Sequence, residues 1–372
     1  MTTGLRELQR IPTSGARAVE VFSVDGLDLL AIPQLARDVP GVAAGMNAGD
    51  SDTDLVLLRR AGDRYEFHAA IPAPGGEDAE FFSIGARHFL AVASIRRGSG
   101  PYEYTIPSVI HEWRDGSFVA FQSLTSFAAK QWRHWSIGER HFLGLAQGLD
   151  LPHLPDPHRD SVIYEWVDGA FTPFQVIPSR WAYNWHAWKI GERQLLAHAD
   201  HVGPSILYAW DGQSFVPGQE LIGRAGRAFA SFERDGRHYL LVAGLEDPPR
   251  LMEWEDGEFH EVQTLRGLAA RELCVVEHGP RLLVIRVNFI EGTPAAPRPL
   301  LRSQIYEWVH GELVEIASFP TSGGTDVAVV QVHGAIDFVV SNSLSSSVRF
   351  ATDTVLYRLD LDEAPSAREG AA

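Results

Sequence analysis

Alternating apolar and polar positions, followed by a short apolar run, form the most frequent pattern in this chain. The pattern spans thirteen residues and recurs seven times, and three copies read FFSIGARHFLAVA, HWSIGERHFLGLA and SFERDGRHYLLVA. An alternating run, a tight turn and an apolar run predict a β-hairpin whose second strand is buried on both faces. The copies begin at Val21, Phe81, His134, Ala187, Ser231, Val275 and Val329.

A second repeated segment follows the first. It reads SVIHEWRDGSFVAFQ from Ser108 and SVIYEWVDGAFTPFQ from Ser161, with further copies from Ser205, Arg250 and Ser303. Its Asp-Gly or His-Gly pair predicts the turn of another hairpin. Two hairpins make a four-stranded unit, and seven such units predict an all-β fold. We therefore expect a seven-bladed β-propeller of four-stranded antiparallel blades.

The last unit lacks a fourth strand, since it ends with TVLYRLD at 354–360. The segment LRELQRIPTSGA from Leu5 resembles the outer-strand segment FTPFQVIPSRWA from Phe171. This resemblance predicts that the N-terminal strand completes the last blade and closes the ring. Residues 4–360 then form a single propeller domain, and the small and polar residues 361–372 form a disordered C-terminal tail.

The two repeated segments, F-x-I-G-x-x-x-F-L-A-V-A and S-x-I-Y-x-W-x-x-G-x-F, resemble the EPTP repeat, also called the epitempin-associated or EAR repeat. The resemblance extends over residues 5–360. It implies a seven-bladed propeller. The animal members of this family are secreted or cell-surface proteins that bind other proteins, so the resemblance also implies a binding function. It further implies a cation in the central channel.

Composition narrows the classes of partner. The chain has 372 residues, 45% of them hydrophobic and 22% charged, which is typical of a globular protein. Its net charge of −16 disfavours nucleic acid. Cys274 is the single cysteine, no apolar run is long enough to span a membrane, and MTTGLRELQRIP has no apolar signal core. We expect a cytoplasmic monomer with no membrane partner.

The connections between strands indicate which face of the propeller functions. If the strands of a blade are named A to D from the axis outward, the A–B and C–D turns are short and uniform. The B–C and D–A connections lie on the opposite face and vary in length, and variable loops on a rigid scaffold are where binding concentrates. We place the site on this loop face, at the mouth of the central channel. The long B–C loops are 33–52, 94–107, 147–160, 286–302 and 341–353.

Seven of the ten tryptophans occupy repeat positions and are predicted to be core residues. Trp132, Trp181 and Trp185 remain, all near the loop-face starts of blades 3 and 4. With their neighbours they are predicted to form a wall for a ligand, and the alternative is that they fill gaps between blades. The neighbours assigned to ligand binding are Gln131, Arg133, Arg180, Tyr183 and Asn184.

The histidines that lie outside the repeat positions are also concentrated in one part of the chain. Six of the fifteen histidines fall outside the repeat positions, all between residues 134 and 201. His134 and His186, with Asp78 and Glu80, supply the acid and base that a cofactor-independent cyclase, isomerase or lyase needs. No nucleotide-binding or established hydrolase motif is present. The six histidines are His134, His153, His158, His186, His198 and His201.

An aligned column at the start of strand A is rich in polar residues. It includes Asp78, Gln131, Asn184, Glu272 and Asp326, which are expected to edge the channel. The three carboxylates offer oxygen ligands for Ca²⁺, whereas the alternative is a water-filled channel with an acidic collar. An acidic collar favours cations or basic partners.

Two further features are the segment from His153 and the residue Lys130. The segment HLPDPHRD from His153 holds candidate metal ligands but matches no established zinc spacing. Lys130, one of two lysines, is interpreted as a surface residue, with an amine nucleophile or a cation as the alternative. The sequence thus predicts a propeller that captures a small-molecule or peptide ligand, and it leaves the enzyme alternative open.

Overall fold

The described part of the chain contains thirty β-strands, and seven four-stranded antiparallel sheets include all but two of them. The computed structural model describes residues 4–150, 159–332 and 334–361. Within these ranges no helix has the length and apolarity needed to cross a membrane. The predicted seven-bladed β-propeller is confirmed.

The N-terminal strand and the first three blades are continuous in sequence. In each blade the strands follow chain order from the axis outward. The strands are β1 (Gly4–Ser14), β2 (Glu20–Val24), β3 (Leu27–Ile32), β4 (Asp54–Ala61), β5 (Arg64–Pro72), β6 (Gly76–Ile84), β7 (Arg87–Ser94), β8 (Thr105–Arg114), β9 (Ser117–Phe127), β10 (Gln131–Ile137), β11 (Arg140–Ala146), β12 (Ser161–Val167) and β13 (Ala170–Ile177).

Blades 4 to 6 repeat this plan, with a small hairpin of β24 and β25 inserted in blade 6, whereas blade 7 takes its outer strand from the N-terminus. Their strands are β14 (Ala182–Ile190), β15 (Arg193–Asp200), β16 (Ser205–Trp210), β17 (Phe215–Ile222), β18 (Gly226–Arg234), β19 (Arg237–Gly244), β20 (Arg250–Glu255), β21 (Glu258–Thr264), β22 (Ala270–His278), β23 (Arg281–Asn288), β24 (Glu291–Thr293), β25 (Ala296–Arg298), β26 (Leu300–Val309), β27 (Glu312–Ser322), β28 (Gly324–Val332), β29 (Ala335–Asn342) and β30 (Ala351–Asp360).

Blade 7 confirms the predicted closure. Its sheet has the order β1-β30-β29-β28, so the N-terminal strand is the outer strand of the last blade. The register runs from Gly4 opposite Asp360 to Ser14 opposite Ala351, with one irregularity between Glu7 and Gln9. The predicted disordered tail, 361–372, lies outside the described residues except for Leu361.

The repeated turns and the repeated apolar run behave as their sequences predict. Asp115 and Gly116 both have positive φ, at 50° and 79°, as a two-residue type I′ hairpin requires. The second strand of each blade is almost wholly buried, as in β7, where six consecutive residues are buried. These strands form the core clusters between neighbouring blades.

A glutamine near the middle of the outer strand ties neighbouring blades together. The Gln122 amide of blade 2 donates to the Phe171 carbonyl of blade 3 and accepts from the Phe171 N–H, at 2.7 and 2.9 Å. One side chain thus satisfies both backbone groups of the next blade. The same clamp joins Gln175 to Phe215, Gln219 to Phe259, Gln263 to Leu313, and Gln9 of β1 to Tyr65.

Candidate functional site: a loop-face cavity above an acidic channel

A cavity of about 770 Å³ lies on the loop face, where the sequence placed the site. Residues from the predicted loops 33–52, 94–107, 147–160 and 286–302 line it, and these loops belong to blades 1, 2, 3 and 6. Residues of blades 4 and 5 complete the lining. Its size falls within the range of about 300–1,000 Å³ that is usual for small-molecule sites. Its apolar wall includes Leu35, Ile95, Leu149, Leu245, Phe289 and Ile290.

Trp181 is the one leftover tryptophan that lines this cavity. Its ring stacks on Tyr183, with centroids 6.3 Å apart, and meets the His201 ring edge-on at 5.0 Å. Asp200 holds the backbone beneath it, because one carboxylate accepts the N–H groups of Arg180, Trp181, Val202 and Gly203. Although burial opposes the effect, these amides hold the pKa of Asp200 below its ordinary value.

Trp132 and Trp185 do not reach the cavity, which corrects their assignment as ligand contacts. Both side chains are 0% exposed and belong to core clusters between blades. Trp185 packs against His198, with ring centroids 4.1 Å apart. The alternative interpretation, that these indoles fill gaps between blades, is the correct one for these two residues.

The floor of the cavity is a ring of buried polar side chains, of which the sequence indicated only Tyr183 as a ligand residue. Arg17, Glu77, Lys130 and Tyr183 line both this cavity and the channel beneath it, and Arg227 joins them on the cavity side. All five are at most 8% exposed. Lys130, interpreted from the sequence as a surface residue, is instead 5% exposed.

β-Bulges direct three members of this ring, Glu77, Tyr183 and Arg227, toward the axis. The register of strand A slips by one residue between Gly76 and Asp78, and also between Gly226 and Ala228. The same slip surrounds Tyr183, Arg271 and Thr325 in their blades. An extra residue in one strand interrupts the alternation of side chains and redirects one of them. In the sequence, the ring corresponds to the column one residue before the aligned column of Asp78 and Asp326. That earlier column reads Arg17, Glu77, Lys130, Tyr183, Arg227, Arg271, Thr325.

The ring carries more positive than negative charge. Glu77 accepts from Arg17 Nε at 3.1 Å and from Lys130 Nζ at 3.3 Å. Burial alone would raise the pKa of Glu77, but Arg17, Lys130 and Arg271 outweigh it and hold that pKa below its ordinary value. The Arg227 guanidinium lies 3.8 Å from the centre of the Tyr183 ring. The acidic collar predicted for the mouth therefore lies deeper, and the mouth itself is basic.

The channel below the ring encloses about 310 Å³ and contains the predicted acidic column. Asp78, Gln131, Asn184, Glu272 and Asp326 all line it. Several of them bind the next strand A: the Asp326 carboxylate accepts the Val19 N–H at 2.9 Å, and that of Asp78 accepts the Trp132 N–H at 2.8 Å. Gln131 accepts the Trp185 N–H at 2.6 Å. This column therefore links blades around the axis.

The four residues proposed as an acid–base set are not brought together for catalysis. Glu80 accepts the His134 N–H at 2.8 Å and pairs with Arg133 at 3.2 Å. The His134 ring contacts His141, with Nε2 and Nδ1 3.2 Å apart, and His186 Nε2 lies 2.9 Å from Ser231 Oγ. Burial lowers the pKa of both His134 and His186 to about 3. Neither histidine lines the described cavity or channel.

The calcium prediction gains no support from the carboxylate positions. Among the described residues, no group of three or more His, Cys, Asp or Glu side chains is arranged to hold a metal ion. Asp78 and Asp326 already accept backbone amides, and Glu272 accepts from Asn184 Nδ2 at 3.2 Å. A channel Ca²⁺ on Asp78, Glu272 and Asp326 stays a prediction. The candidate metal loop at His153 and His158 lies outside the described residues.

The channel carboxylates predict an unusual pH dependence. Burial, with the Glu80 charge, raises the pKa of Asp78 from 3.8 to about 8, and burial, with Asp326, raises that of Glu272 from 4.5 to about 8. Both groups bind protons more tightly in the folded state, so the stability they contribute is lost as the pH rises from about 4 to about 8. Below about pH 6.5 the buried His134 and His186 contribute the opposite slope, because their pKa values are lower in the folded state. Urea unfolding between about pH 7 and pH 8 should therefore show the free energy of unfolding falling with pH.

The double variant Asp78→Asn, Glu272→Gln should flatten this dependence, because its amides do not titrate. Glu255→Gln, on the turn face, provides the control and should keep the wild-type slope. A free energy of unfolding that rises steadily from pH 7 to pH 8 in the wild type would contradict the assignment.

Arg180, the last of the predicted ligand residues, lies at the edge of the loop face. Its Nη2 pairs with Asp150 Oδ2 at 2.5 Å, and its side chain is 57% exposed. Tyr183 lines the cavity, whereas Gln131, Arg133 and Asn184 line the channel below. Of the predicted ligand wall, only Trp181 and Tyr183 therefore face the cavity.

The architecture and the site define a class: a seven-bladed β-propeller with a ligand-sized cavity over one end of its channel. The EPTP domain model matches residues 117–167 and 170–211. Each matched stretch begins on the outer strand of one blade, β9 or β13, and ends at the third strand of the next, β12 or β16. Over these residues the chain is similar to the EPTP repeat, and the resemblance predicted from the sequence is confirmed.

Two curated relatives are named for the EAR repeat. The chain is 30% identical to the human thrombospondin-type laminin G domain and EAR repeat-containing protein, over 47% of this chain and 25% of that protein. It is 32% identical to the mouse protein of that name, over 33% of this chain and 17% of the relative. The matches therefore cover a quarter or less of each relative's length.

Proposed function

We propose that this protein is a binding propeller that captures a small-molecule or peptide ligand in the loop-face cavity. The observation that carries the proposal is the cavity itself, which combines an apolar wall with a few buried polar groups on its floor. Such a combination is typical of ligand sites, where apolar contacts supply affinity and polar groups fix orientation. The EPTP repeat supports a binding role more than a catalytic one.

The enzyme alternative has no comparable support. The His134 and His186 rings contact the side chains of neighbouring residues. The Glu80 and Asp78 carboxylates each accept a backbone N–H. A general base needs hydrogen-bond reach to the proton that it abstracts. We therefore retain the binding function alone, and the cytoplasmic location and the monomeric state stay predictions.

Trp181→Ala is expected to weaken ligand binding about 30-fold, equivalent to about 2 kcal/mol, because a large aromatic wall is lost. The measurement is a screen of a small-molecule and peptide library by thermal stabilisation, followed by calorimetric titration of the hits. A ligand at a hundred times its Kd stabilises the folded state by about 2.7 kcal/mol.

Phe67→Ala is the matched control for this experiment. Phe67 is also aromatic but lies on the outer strand β5, where it is 70% exposed and does not line the cavity. Hits should bind this variant as they bind the wild type. Hits that bind equally well to Trp181→Ala would place the ligand elsewhere and refute the proposal.

A further inference from the structure

The charge on the cavity lining has the opposite sign to the charge on the whole chain. Five basic side chains line the cavity, against the three carboxylates of Glu77, Glu246 and Glu291, whereas the chain has a net charge of −16. Two of the carboxylates are at the rim and already paired, Glu246 with Arg224 and Glu291 with Arg298. The basic side chains are Arg17, Arg96, Lys130, Arg227 and Arg298.

Arg227 is the least neutralised of the floor cations. It is 3% exposed, and it has no carboxylate within salt-bridge distance in the part of the chain that the structure describes. Its Nη1 donates to the Gly226 carbonyl at 2.8 Å, which uses one of five N–H donors. Burial lowers the pKa of Arg227 to about 10, with Arg271 and Arg17 adding to the effect, so the guanidinium is still charged at neutral pH.

Buried charge without a partner is costly, and proteins normally pair it or hydrogen-bond it. Here Arg17 and Lys130 share the single carboxylate of Glu77, and Arg271 lies just beneath, 5.1 Å from the Tyr183 ring. The cavity floor therefore holds three cations, Arg17, Lys130 and Arg227, with the one carboxylate of Glu77. The Tyr183 ring face attracts them but supplies no anionic oxygen. An oxyanion from outside would complete this arrangement.

We infer that the cavity holds an amphiphilic small-molecule anion. Its oxyanion group, a carboxylate or a phosphate, binds Arg227, Arg17 and Lys130 at the floor, and its apolar body lies along Trp181, Leu149 and Phe289. This inference rests on the proposed binding function and specifies the chemistry of the ligand. Arginine suits the role because its planar fork binds carboxylate and phosphate through two parallel hydrogen bonds.

The test uses two fluorescent probes with the same aromatic body. Anilinonaphthalene sulfonate carries an oxyanion, and phenylnaphthylamine lacks it. We expect the sulfonate to bind the wild-type protein at least about 10-fold more tightly, since a hydrogen bond to a charged group contributes about 1.5–3 kcal/mol. Displacement of the sulfonate by decanoate, decyl phosphate or decanol then distinguishes a carboxylate from a phosphate preference, and decanol should compete weakly.

Single substitutions show which side chains account for the tighter binding of the sulfonate. Arg227→Met should weaken the sulfonate about 10-fold or more and leave the neutral probe unchanged, whereas Arg227→Lys should retain part of the difference. Arg234→Met is the matched control, because Arg234 lies at the opposite end of the same strand, β18. Trp181→Ala should weaken both probes, since it removes the wall and leaves the charges in place.

The outcomes separate this inference from the proposed function. Equal affinity of the two probes for the wild type would overturn the anion inference and leave the binding function standing. Failure of both probes to bind the folded protein would overturn both. If Arg227→Met does not fold, the comparison of the two probes on the wild type still decides the question.

Discussion

A protein lacking residues 4–14 is expected to lose the native ring. Strand β1 supplies the outer strand of blade 7, and it buries Ile11 to 6% exposure in a cluster with Leu30 and Leu356. Its Gln9 amide also ties blade 7 to Tyr65 of blade 1. Loss of a buried isoleucine alone costs about 2–5 kcal/mol, against a total stability of about 5–15 kcal/mol for typical domains.

Deletion would also expose the edge of β30, which is ten residues long, and an open edge strand promotes aggregation. Circular dichroism during heating and size-exclusion chromatography should therefore show a lower melting temperature and soluble aggregates. A synthetic peptide, GLRELQRIPTS, added to the refolding protein should restore part of the monomer. An unchanged melting temperature in the truncated protein would show that β1 does not close the ring.

A single substitution sharpens the same prediction. Ile11→Asp places an unpaired carboxylate in the core and should destabilise the protein by about 3 kcal/mol or more. Arg6→Ala is the control in the same strand. Arg6 pairs with Asp360 at 3.1 Å, but its side chain is 57% exposed, and such pairs contribute about 0–1 kcal/mol.

Replacement of Glu77 by alanine is the second change for which we expect a large effect. Its carboxylate lies between Arg17 and Lys130, and the three residues are at most 8% exposed. Breaking a buried ion pair by removing one partner costs about 3–5 kcal/mol, because the remaining charges stay buried. Urea unfolding followed by tryptophan fluorescence should reveal that loss. Glu246→Gln at the exposed rim is the control and should change stability by less than about 1 kcal/mol.

The contribution of Glu77 to the free energy of unfolding depends on pH in a defined direction. The pKa of Glu77 is lower in the folded state than its ordinary 4.5, so the stability it contributes is present above that value. It is lost as the pH falls through the folded pKa, below about 4.5. Wild type and Glu77→Gln should therefore converge in stability in acid. A constant difference between them at every pH would contradict the ion-pair explanation.

The repeat made the fold predictable at the level of blades and turns. Asp115-Gly116 and its equivalents determine hairpins locally, because few residues adopt positive φ at two successive positions. The similarity between the segments at Leu5 and Phe171 also identified the closing strand. These inferences needed only local propensity and alternation, which a sequence displays directly.

The candidate site was only partly predictable. The loop face and Trp181 were anticipated, but Trp132 and Trp185 proved to be core residues, and Lys130 proved to be buried. A tryptophan between two blades and a tryptophan beside a cavity occupy neighbouring sequence positions. The packing of the adjacent blade decides which of them meets solvent, and a single sequence does not display that packing.

The sequence by itself therefore determined the seven blades, their turns, the closure by the N-terminal strand and the loop face as the site of variation. Only the tertiary structure showed that the channel mouth is basic while the chain as a whole is acidic. The physical reason is the β-bulge at the start of strand A, which interrupts the two-residue alternation at Glu77, Tyr183 and Arg227. Those bulges turn one column of side chains toward the axis, where residues far apart in sequence share a single cavity.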